Sequence, residues 1–547
     1  MAAAKPPLFT GALSRAVVGV ALTLSPLGPT PSPWGWAAEP VADEIVLLAN
    51  RDDDDRDGVA DADDERVNGV ADASDLAVVS IVPPAGVRRL RLTAADAPLR
   101  FFVREGDDWR HLGCGAVEVE VPPNPRGAPL DLGVEATAWA GLPAEWSGRG
   151  VIRVVHEGGD AALREIAVRL APIVLLPATA PVEEVYVATG RYDNAGFTSA
   201  LEELLEPLGV PLRTHAARDW REMWMQDTME IGLATTPRAS MHVVLAGLRN
   251  ADSFPPTLLG PDVAVAAVAS SRPLGGGDDW ADWYGNLEAS VATAAHPRGR
   301  VIHGRNRRTG VTFHPDVVRF LAAQQTQPPV WIDTSWLLIK HVDEIVSFLP
   351  GADGAGVILV PDPELGLRLL GDDPDLPPPA AERRREANRR IAREIEAMLQ
   401  GEAGGGPEAS RAGAADGPEP AGPSEPTNGG SLLALVGLDA SRVVRLPVAF
   451  DVPAEGLLPD GGVTNASSIW SNPVNALVVN GTVICGSSGM PAAVRNACRE
   501  RFLAAGAERV EFIDDACYQR HHGNVHCATN ATRSSTERTG RPDLSRE

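Results

Sequence analysis

Residues 40–174 carry short apolar and β-branched runs that are separated by proline and glycine. These runs lie at 45–48, 76–82, 90–92, 101–103, 117–121, 151–155 and 166–168. Short strands at this spacing, with turn residues between them, are typical of a β-sandwich of roughly a hundred residues. The pattern therefore predicts that residues 40–174 form one β-sandwich domain.

The pattern changes from residue 182 onward. Residues 185–212 read as an alternating strand, a helix-like stretch and a second strand. Similar strand and helix units follow at 315–335 and 476–515. Repetition of one small unit predicts that residues 180–534 are built from repeated α/β modules rather than from a single wound sheet.

Two segments of the second region stand apart in composition. A basic helical stretch at 383–399 is followed by a tract at 401–430 that is rich in glycine, alanine, proline and glutamate. Such a tract cannot bury a core, so we expect a disordered surface insertion there. The polar residues 535–547 are expected to form a flexible tail.

The N-terminus has a basic start, an apolar run at 16–24 and a small-residue stretch that ends near Ala38. This layout predicts a cleaved secretory signal peptide over residues 1–38, and hence a secreted protein. A disordered extension rich in alanine and proline is the alternative. Beyond this segment, the sequence offers no apolar run long enough to span a bilayer.

The net charge of the chain limits the classes of molecule that it is expected to bind. The 547 residues include 49 Lys and Arg against 73 Asp and Glu, a formal net charge of −24. This excess argues against nucleic acid or an anionic membrane as a partner and suits calcium ions or arginine side chains. The 5 cysteines are too few for a disulfide framework, and their odd number leaves at least one without an intramolecular partner.

An acidic run interrupted by two glycines lies near the start of the predicted sandwich. Its oxygen-bearing residues are Asn50, Asp52, Asp53, Asp54, Asp55, Asp57, Asp61, Asp63, Asp64, Asp72 and Asp75. Carboxylates at alternating positions suit calcium, which relieves their mutual repulsion when it binds. The alternatives are a solvated charge run, or a thrombospondin-like or dockerin-like calcium repeat in a binding module.

Three segments, at 224–232, 341–344 and 522–530, carry the chemistry of a guanidinium hydrolase. Such a reaction needs a thiolate nucleophile, carboxylates that hold the two nitrogen edges, and an acid/base group for the departing ammonia. Bidentate, charge-assisted pairing favours Asp227 and Asp343 as the carboxylates. Taken singly, a cysteine is more often a packing residue and an Asp beside a His more often a structural pair.

At these residues the sequence resembles the protein-arginine deiminases of the guanidine-modifying (pentein) superfamily. The resemblance rests on W-M-Q-D-T-M-E-I-G at 224–232, H-V-D-E at 341–344 with a following F-L-P, Y-G-N-L-E at 284–288, and H-G-N-V-H-C-A-T-N at 522–530. It implies a five-bladed α/β propeller preceded by one immunoglobulin-like, calcium-binding β-sandwich. The implied site residues are Cys527 as nucleophile, His341 as general acid/base, Asp227 and Asp343 as guanidinium clamps, Trp224 as a wall along the substrate stem, and Arg249 as a substrate-binding arginine.

The resemblance also implies two groups of calcium ligands. Gln226, Glu230, Glu288 and the carbonyls of Tyr284 and Leu287 match a site beside the catalytic centre. Asn50, Asp52, Asp54, Asp72, Asp75 and Asp262 match sites that join the β-domain to the propeller. A further family site is expected to be lost, because Thr228, Ala246 and Gly247 stand where the family has acidic or hydroxyl ligands.

The expected function is calcium-dependent hydrolysis of peptidyl-arginine to peptidyl-citrulline and ammonia, through a covalent cysteine intermediate. The expected substrates are arginine-containing peptides or proteins. Within the same superfamily, the alternatives are a free-arginine or agmatine deiminase, or an amidinotransferase. From another class, the chain could be a non-catalytic calcium-binding adhesion protein.

Overall fold

The computed structural model describes residues 44–535, except for 96, 124–127, 143–145, 158, 160–161, 248–252, 269–271, 273–276, 372–375 and 402–429. These residues belong to one compact unit, Pro40–Glu547. The predicted leader at 1–38, nearly all of the predicted insertion and the tail from 536 onward lie outside the described residues. Arg249 lies outside them too.

The first part of the chain forms two sheets. Their strand orders are β1-β9-β8-β3-β6 and β2-β7-β4-β5, with antiparallel pairing throughout except for the parallel pair β1 and β9. The strands are β1 Glu44–Leu47, β2 Ala77–Ile81, β3 Arg89–Thr93, β4 Leu99–Glu105, β5 Asp108–Cys114, β6 Ala116–Glu120, β7 Leu130–Ala136, β8 Arg149–His156 and β9 Ala162–Leu170.

Alternation of side chains explains these strands. In β6 the valines Val117 and Val119 are buried, while the residues on either side of them are exposed. Residues from both sheets, such as Leu92 and Phe101, share one hydrophobic core. The strands β5 and β7 were not recognised in the sequence. β5 is mostly half-exposed, and β7 carries Asp131, Gly133 and Glu135 between its apolar residues.

The rest of the chain contributes eighteen described strands. They are β10 Val174–Leu175, β11 Val182–Thr189, β12 Leu212–Ala216, β13 Met229–Thr235, β14 Ser240–Ala246, β15 Val263–Ala267, β16 Leu287–Ala289, β17 Val301–Arg305, β18 Val330–Asp333, β19 Ser347–Leu349, β20 Val357–Asp362, β21 Val443–Pro447, β22 Phe450–Asp451, β23 Ser467–Ser468, β24 Leu477–Val479, β25 Thr482–Gly486, β26 Arg509–Ile513 and β27 Thr529–Arg533.

Apart from the small pair β22 and β23, these described strands form five small sheets of one topology. Each has a central strand with an antiparallel neighbour on one side and a parallel neighbour on the other; the central strands are β11, β14, β17, β20 and β25. A parallel neighbour requires a crossover, which is helical in each unit. The antiparallel neighbour of β11 is β27, so the last described strand of the chain completes the sheet that contains β11.

The described helices are α1 Val70–Asp75, α2 Ala195–Leu205, α3 Met225–Thr228, α4 Pro315–Ala323, α5 Pro363–Leu370, α6 Pro378–Gln400, α7 Leu432–Val436, α8 Ala492–Ala504, α9 Ala516–Gln519 and α10 Val525–Ala528. The predicted basic helix lies within α6. It buries Ala387, Ile391, Ile395 and Leu399, which recur every four residues, and exposes Arg385, Arg389 and Arg393. Among the described residues, no helix combines the length and apolar character that a membrane crossing requires.

Candidate active site

The predicted site residues lie on turns that occupy equivalent places in the five sheets. In each sheet, a short turn leads directly into the strand that pairs antiparallel with the central one. Asp227 lies in α3 before β13, Asp343 in the 3-10 turn Val342–Glu344 before β19, and Cys527 in α10 before β27. The repeated topology therefore explains how residues three hundred positions apart in sequence meet.

Cys527 lies in an acidic, water-excluded setting. Its thiol is 5 % exposed and donates to Asp343 Oδ2 at 3.3 Å. Burial, together with the charges of Asp343, Asp227 and Glu344, raises the pKa of the Cys527 thiol well above its ordinary value. The thiol is therefore protonated until a cation enters the site.

His341 and Asp227 form the second half of the site. His341 Nδ1 lies 3.4 Å from Asp227 Oδ1, and its Nε2 lies 3.1 Å from the Trp280 carbonyl oxygen. Gly285 passes so close that a Cβ there would lie 2.6 Å from both Asp227 Oδ1 and His341 Nδ1. Any side chain at Gly285 would therefore force His341 and Asp227 apart.

Asp343 is held by a histidine that precedes the nucleophile. His526 Nδ1 lies 3.0 Å from Asp343 Oδ2, and its Nε2 lies 3.6 Å from Glu288 Oε1. Burial lowers the pKa of His526, but the hydrogen bond to Asp343 and the charges of Glu288 and Glu230 outweigh it, so the pKa is raised. His526 was left without a role in the sequence analysis.

Trp224, the predicted wall along the substrate stem, is buried among aromatic rings. Its ring is 7 % exposed and lies 5.7 Å from the ring of Tyr192 and 5.6 Å from that of Tyr518. Gly523 packs against its face, since a Cβ there would meet the indole at 2.3 Å. An indole fixed in this way offers an apolar surface for the methylene stem of an arginine.

A small cavity of about 30 Å³ adjoins the site and collects most of the first predicted calcium set. Its lining includes Gln226, Glu230, Leu287, Glu288 and Arg533. Burial raises the pKa of Glu230 to about 7 and that of Glu288 to about 8.

Glu288 Oε1 is buried without a hydrogen-bond partner in the described part of the chain. Oxygen donors around an unsatisfied carboxylate fit a hard cation. Tyr284, the remaining member of the predicted set, is fully buried and accepts the Leu287 N–H at its carbonyl.

The second predicted calcium set lies in the acidic run. One carboxylate oxygen from each of Asp52, Asp54 and Asp75 lies within 4.8 Å of the others. Within the described residues, Asn50 Oδ1 and Asp52 Oδ1 are buried with no hydrogen-bond partner. Burial and the charge of Asp54 raise the pKa of Asp52 to about 7. This donor set also fits a calcium ion.

Two members of the second set have other contacts. Asp72 accepts from Asn50 Nδ2 at 2.8 Å, and the same amide donates to Glu135 Oε2 at 2.8 Å. Asp262 donates its backbone N–H to Asp52 Oδ2 at 3.0 Å, which ties the acidic run to the second region. A separate group, Asp53, Asp55 and Asp57, also brings its oxygens within 4.8 Å.

Thr228, at the family site that is expected to be lost, makes two hydrogen bonds within the protein. Its hydroxyl donates to the Trp224 carbonyl at 3.0 Å, and its own carbonyl accepts from Gly247 N–H at 2.6 Å. The sequence also suggests that the four cysteines other than Cys527 are packing residues. Cys485, Cys498 and Cys517 are buried, in keeping with this, but Cys114 is exposed, so the expectation is wrong for Cys114.

The sequence analysis missed one residue in direct contact with the nucleophile. Asn475 Nδ2 donates to Cys527 Sγ at 3.1 Å, and Asn475 Oδ1 accepts from the Cys527 N–H at 3.2 Å. It lies just before β24, in the turn that corresponds to those of Asp227, Asp343 and Cys527. The repeat of turn positions is the signal that could have found it.

Comparison with known proteins gives a family for part of the chain. Residues 162–400 match the family Protein-arginine deiminase (PAD), a stretch that includes Asp227, His341 and Asp343. The chain is 36 % identical to human protein-arginine deiminase type-3 over 202 residues, which are 35 % of this chain and 30 % of that protein. It is 32 % identical to human protein-arginine deiminase type-4 over 206 residues, or 36 % and 30 % of the two chains.

The alignments thus span about a third of each relative. Among solved structures, C. jejuni agmatine deiminase aligns over 66 % of this chain and 96 % of its own, at 9 % identity and a TM-score of 0.38. An agmatine deiminase of Enterococcus faecalis covers the same shares at 12 % identity, with a TM-score of 0.37.

Proposed function

We propose that this relative of the protein-arginine deiminases hydrolyses peptidyl-arginine to peptidyl-citrulline and ammonia. The observation that carries the proposal is the buried thiol of Cys527, 3.3 Å from the Asp343 carboxylate. In the same site the Asp227 carboxylate lies 3.4 Å from an imidazole nitrogen of His341. Nucleophile, acid/base group and two carboxylates are what cleavage of a guanidinium C–N bond needs.

The carboxylates around Cys527 and the position of His341 suggest which group acts in each step of the reaction. A substrate guanidinium places a positive charge between Asp227 and Asp343, which favours ionisation of the Cys527 thiol. The thiol proton passes to His341 as the thiolate adds to the guanidinium carbon, and the C–N bond breaks as His341 gives that proton to the leaving ammonia. Water, deprotonated by His341, then attacks the S-alkylthiouronium carbon, and the C–S bond breaks to give citrulline and the thiol.

Peptidyl-arginine is preferred to free arginine as substrate because of the relatives' names and the preceding two-sheet region. The named relatives are protein-arginine deiminases. The alternative, a free-arginine or agmatine deiminase, uses the same thiol chemistry and needs no domain before the α/β sheets. A binding surface beside the catalytic region suits a macromolecular substrate better than a free amino acid.

Calcium is proposed as the cofactor. One ion beside the site would be held by Gln226, Glu230, Leu287 and Glu288, with Tyr284. Calcium in the acidic run would be held by Asn50, Asp52, Asp54 and Asp75, helped by Asp72 and Asp262. A bound cation there offsets the repulsion among buried carboxylates. The side chains of this chain carry out the catalytic steps.

The architecture is proposed to be a five-bladed α/β propeller preceded by an immunoglobulin-like β-sandwich. Support comes from the shared topology of the five sheets and from β27, which joins the end of the region to its beginning. The domain boundaries at 40–174 and 180–534 follow from the same division. Secretion is proposed from the N-terminal sequence pattern, and sequencing the N-terminus of the mature protein from culture medium would test it.

A citrulline assay separates the candidate functions. The full chain is incubated with calcium and with a blocked arginine peptide, free arginine or agmatine, and citrulline or carbamoyl product is measured. We expect turnover of the peptide, with none in Cys527→Ser and normal turnover in Cys114→Ser, which removes an exposed thiol. Turnover of free arginine or agmatine alone would support the alternative deiminases, and calcium binding without any turnover would support an adhesion protein.

A further inference from the structure

The turn at residues 472–475 joins the two segments that carry Asp343 and Cys527. Asn472 Nδ2 donates to the Glu344 carbonyl at 2.8 Å, and Asn475 Nδ2 lies within 3.3 Å of the Asp343 carbonyl oxygen. On the other side, Asn472 N–H donates to Asn524 Oδ1 at 2.9 Å, and the Asn475 carbonyl accepts from His526 N–H at 3.2 Å. The turn therefore fixes the separation of the clamp and the nucleophile.

The orientation of the Asn475 amide follows from its neighbours. The Cys527 N–H can only donate, so the group that faces it at 3.2 Å must be Oδ1. The Asp343 carbonyl can only accept, so the group that faces it must be Nδ2. The same Nδ2 then points at Cys527 Sγ at 3.1 Å. Because Asn475 is fully buried, water does not compete for these bonds.

A side-chain donor at this place matters because the charged groups that act on the thiol are acidic, and only a backbone hydrogen bond at Asn524 opposes them. Asp343, Asp227 and Glu344 all disfavour the thiolate. The two histidines of the site are engaged elsewhere: His341 with Asp227 and the Trp280 carbonyl, and His526 with Asp343 and Glu288. An amide N–H binds a thiolate more strongly than a thiol, because the anion is the better acceptor.

We propose that Asn475 is a further catalytic residue, whose amide stabilises the Cys527 thiolate by hydrogen bonding and holds Sγ in place for attack. The proposal rests on the proposed function for the identity of the reaction, but not for the contact itself. It also gives a role to the turn at 472–475, which supplies the donor to sulfur. The four equivalent turns supply Asp227 from α3, Gly285 from 284–286, Asp343 from 342–344 and Cys527 from α10.

The test measures the ionisation of one thiol. In the full chain with calcium, the rate at which iodoacetamide alkylates Cys527 is followed by mass spectrometry from pH 6 to 10. The variants are Asn475→Ala, which removes the amide, and Asn475→Asp, which keeps the shape and the acceptor for Cys527 N–H but replaces the donor to sulfur by oxygen. We expect the midpoint of the pH profile to rise by about one unit or more in both, since a hydrogen bond to a charged group corresponds to roughly a tenfold to hundredfold effect.

Asn472→Ala is the matched control. It breaks bonds of the same turn to Glu344 and Asn524 without touching sulfur, so it is expected to lower the melting temperature and to leave the midpoint unmoved. Asn475→Asp also adds a charge that itself disfavours the thiolate, so if Asn475→Ala fails to fold, Asn475→Leu, which keeps the bulk of the side chain without a donor or a charge, decides. We also expect kcat for a blocked arginine peptide to fall about a hundredfold in both Asn475 variants, the usual scale for losing one donor to a developing anion.

Unchanged alkylation midpoints in folded Asn475 variants would overturn the inference, whatever their activity. If the wild-type chain makes no citrulline, the proposed function fails, whereas raised midpoints would still support the contact between Asn475 and the thiolate. Raised midpoints in Asn472→Ala as well would overturn the specific role of Asn475, because they would attribute the effect to the turn as a whole.

Discussion

His526 bridges Asp343, to which its Nδ1 lies at 3.0 Å, and Glu288, to which its Nε2 lies at 3.6 Å. One imidazole thus connects a proposed guanidinium clamp to a proposed calcium ligand. Because the two carboxylates repel each other, their positions depend on the cation between them. Filling the cavity at Glu288 is therefore expected to change the field at Asp343 and Cys527.

Replacing His526 by Gln is expected to lower kcat by tenfold to a hundredfold, since it removes charge-assisted contacts to two buried carboxylates. The calcium concentration for half activation is also expected to change. Activity assays across a calcium titration measure both. His156→Gln, at the partly buried end of β8 in the first region, is the control and should behave as wild type; a fully active His526→Gln protein would contradict the bridging role.

Asp227→Asn and Asp343→Asn are each expected to cost several kcal/mol of transition-state stabilisation, roughly a hundredfold or more in kcat/KM, because each removes one ionic contact to a buried guanidinium. Steady-state kinetics on a blocked arginine peptide measure this loss. The control is Asp131→Asn, an exposed residue bonded to Ser80. Losses of tenfold or less, the scale of an ordinary hydrogen bond, would argue against the clamp roles.

Calcium is expected to raise the melting temperature of the wild-type chain, because it relieves repulsion among buried carboxylates such as Asp52. Asp52→Asn is expected to lose part of that increase. Scanning calorimetry with calcium or with a chelator measures it. Asp108→Asn removes the same charge from an exposed turn and should keep the full increase; an Asp52→Asn protein with an unchanged calcium response would exclude the acidic run as the site.

His303 is expected to make the free energy of unfolding depend on pH, and the direction of that dependence follows from its pKa. Burial lowers the pKa of His303 to about 4, whereas an unfolded histidine titrates near 6.5. As pH falls through 6.5 the unfolded chain gains a proton that the folded chain refuses, so the stability that is complete above pH 6.5 is lost toward pH 4. The loss amounts to about 3 kcal/mol at most.

Urea unfolding at pH 7 and pH 4.5 tests this dependence. Wild type is expected to lose more stability between the two pH values than His303→Gln, which keeps a polar group near Thr312 but does not titrate. His314→Gln, at a partly exposed helix start, serves as a histidine control. Equal pH dependence in wild type and His303→Gln would show that His303 is not the group responsible.

Much of the site could be predicted from the sequence, because the groups that do the chemistry stand in short, specific motifs. Asp227, His341, Asp343 and Cys527 were all identified in this way, and the structure brings them together. Their roles remain predictions that the experiments above test. The β-runs and the basic helix were also found, because alternating and four-residue periods leave a direct trace in the order of side chains.

The residues that were missed have meaning only in three dimensions. Asn475 is an ordinary asparagine in sequence, and its contact with Cys527 depends on two turns from different sheets. His526 could not be assigned because its two carboxylate partners lie far away in the chain. The strand β5 was missed because its half-exposed residues lack a clear two-residue period.

The pairing of β27 with β11 sets an order on biosynthesis. Cys527 directly precedes β27, and β11 leaves the ribosome some three hundred and forty residues earlier. During translation, the turns that carry Asp227 and Asp343 therefore emerge before Cys527. The sheet of β11 lacks one strand until nearly all of the described chain has emerged. The sheet of β11 and the Cys527 segment that leads into β27 are therefore completed together, at the end of synthesis.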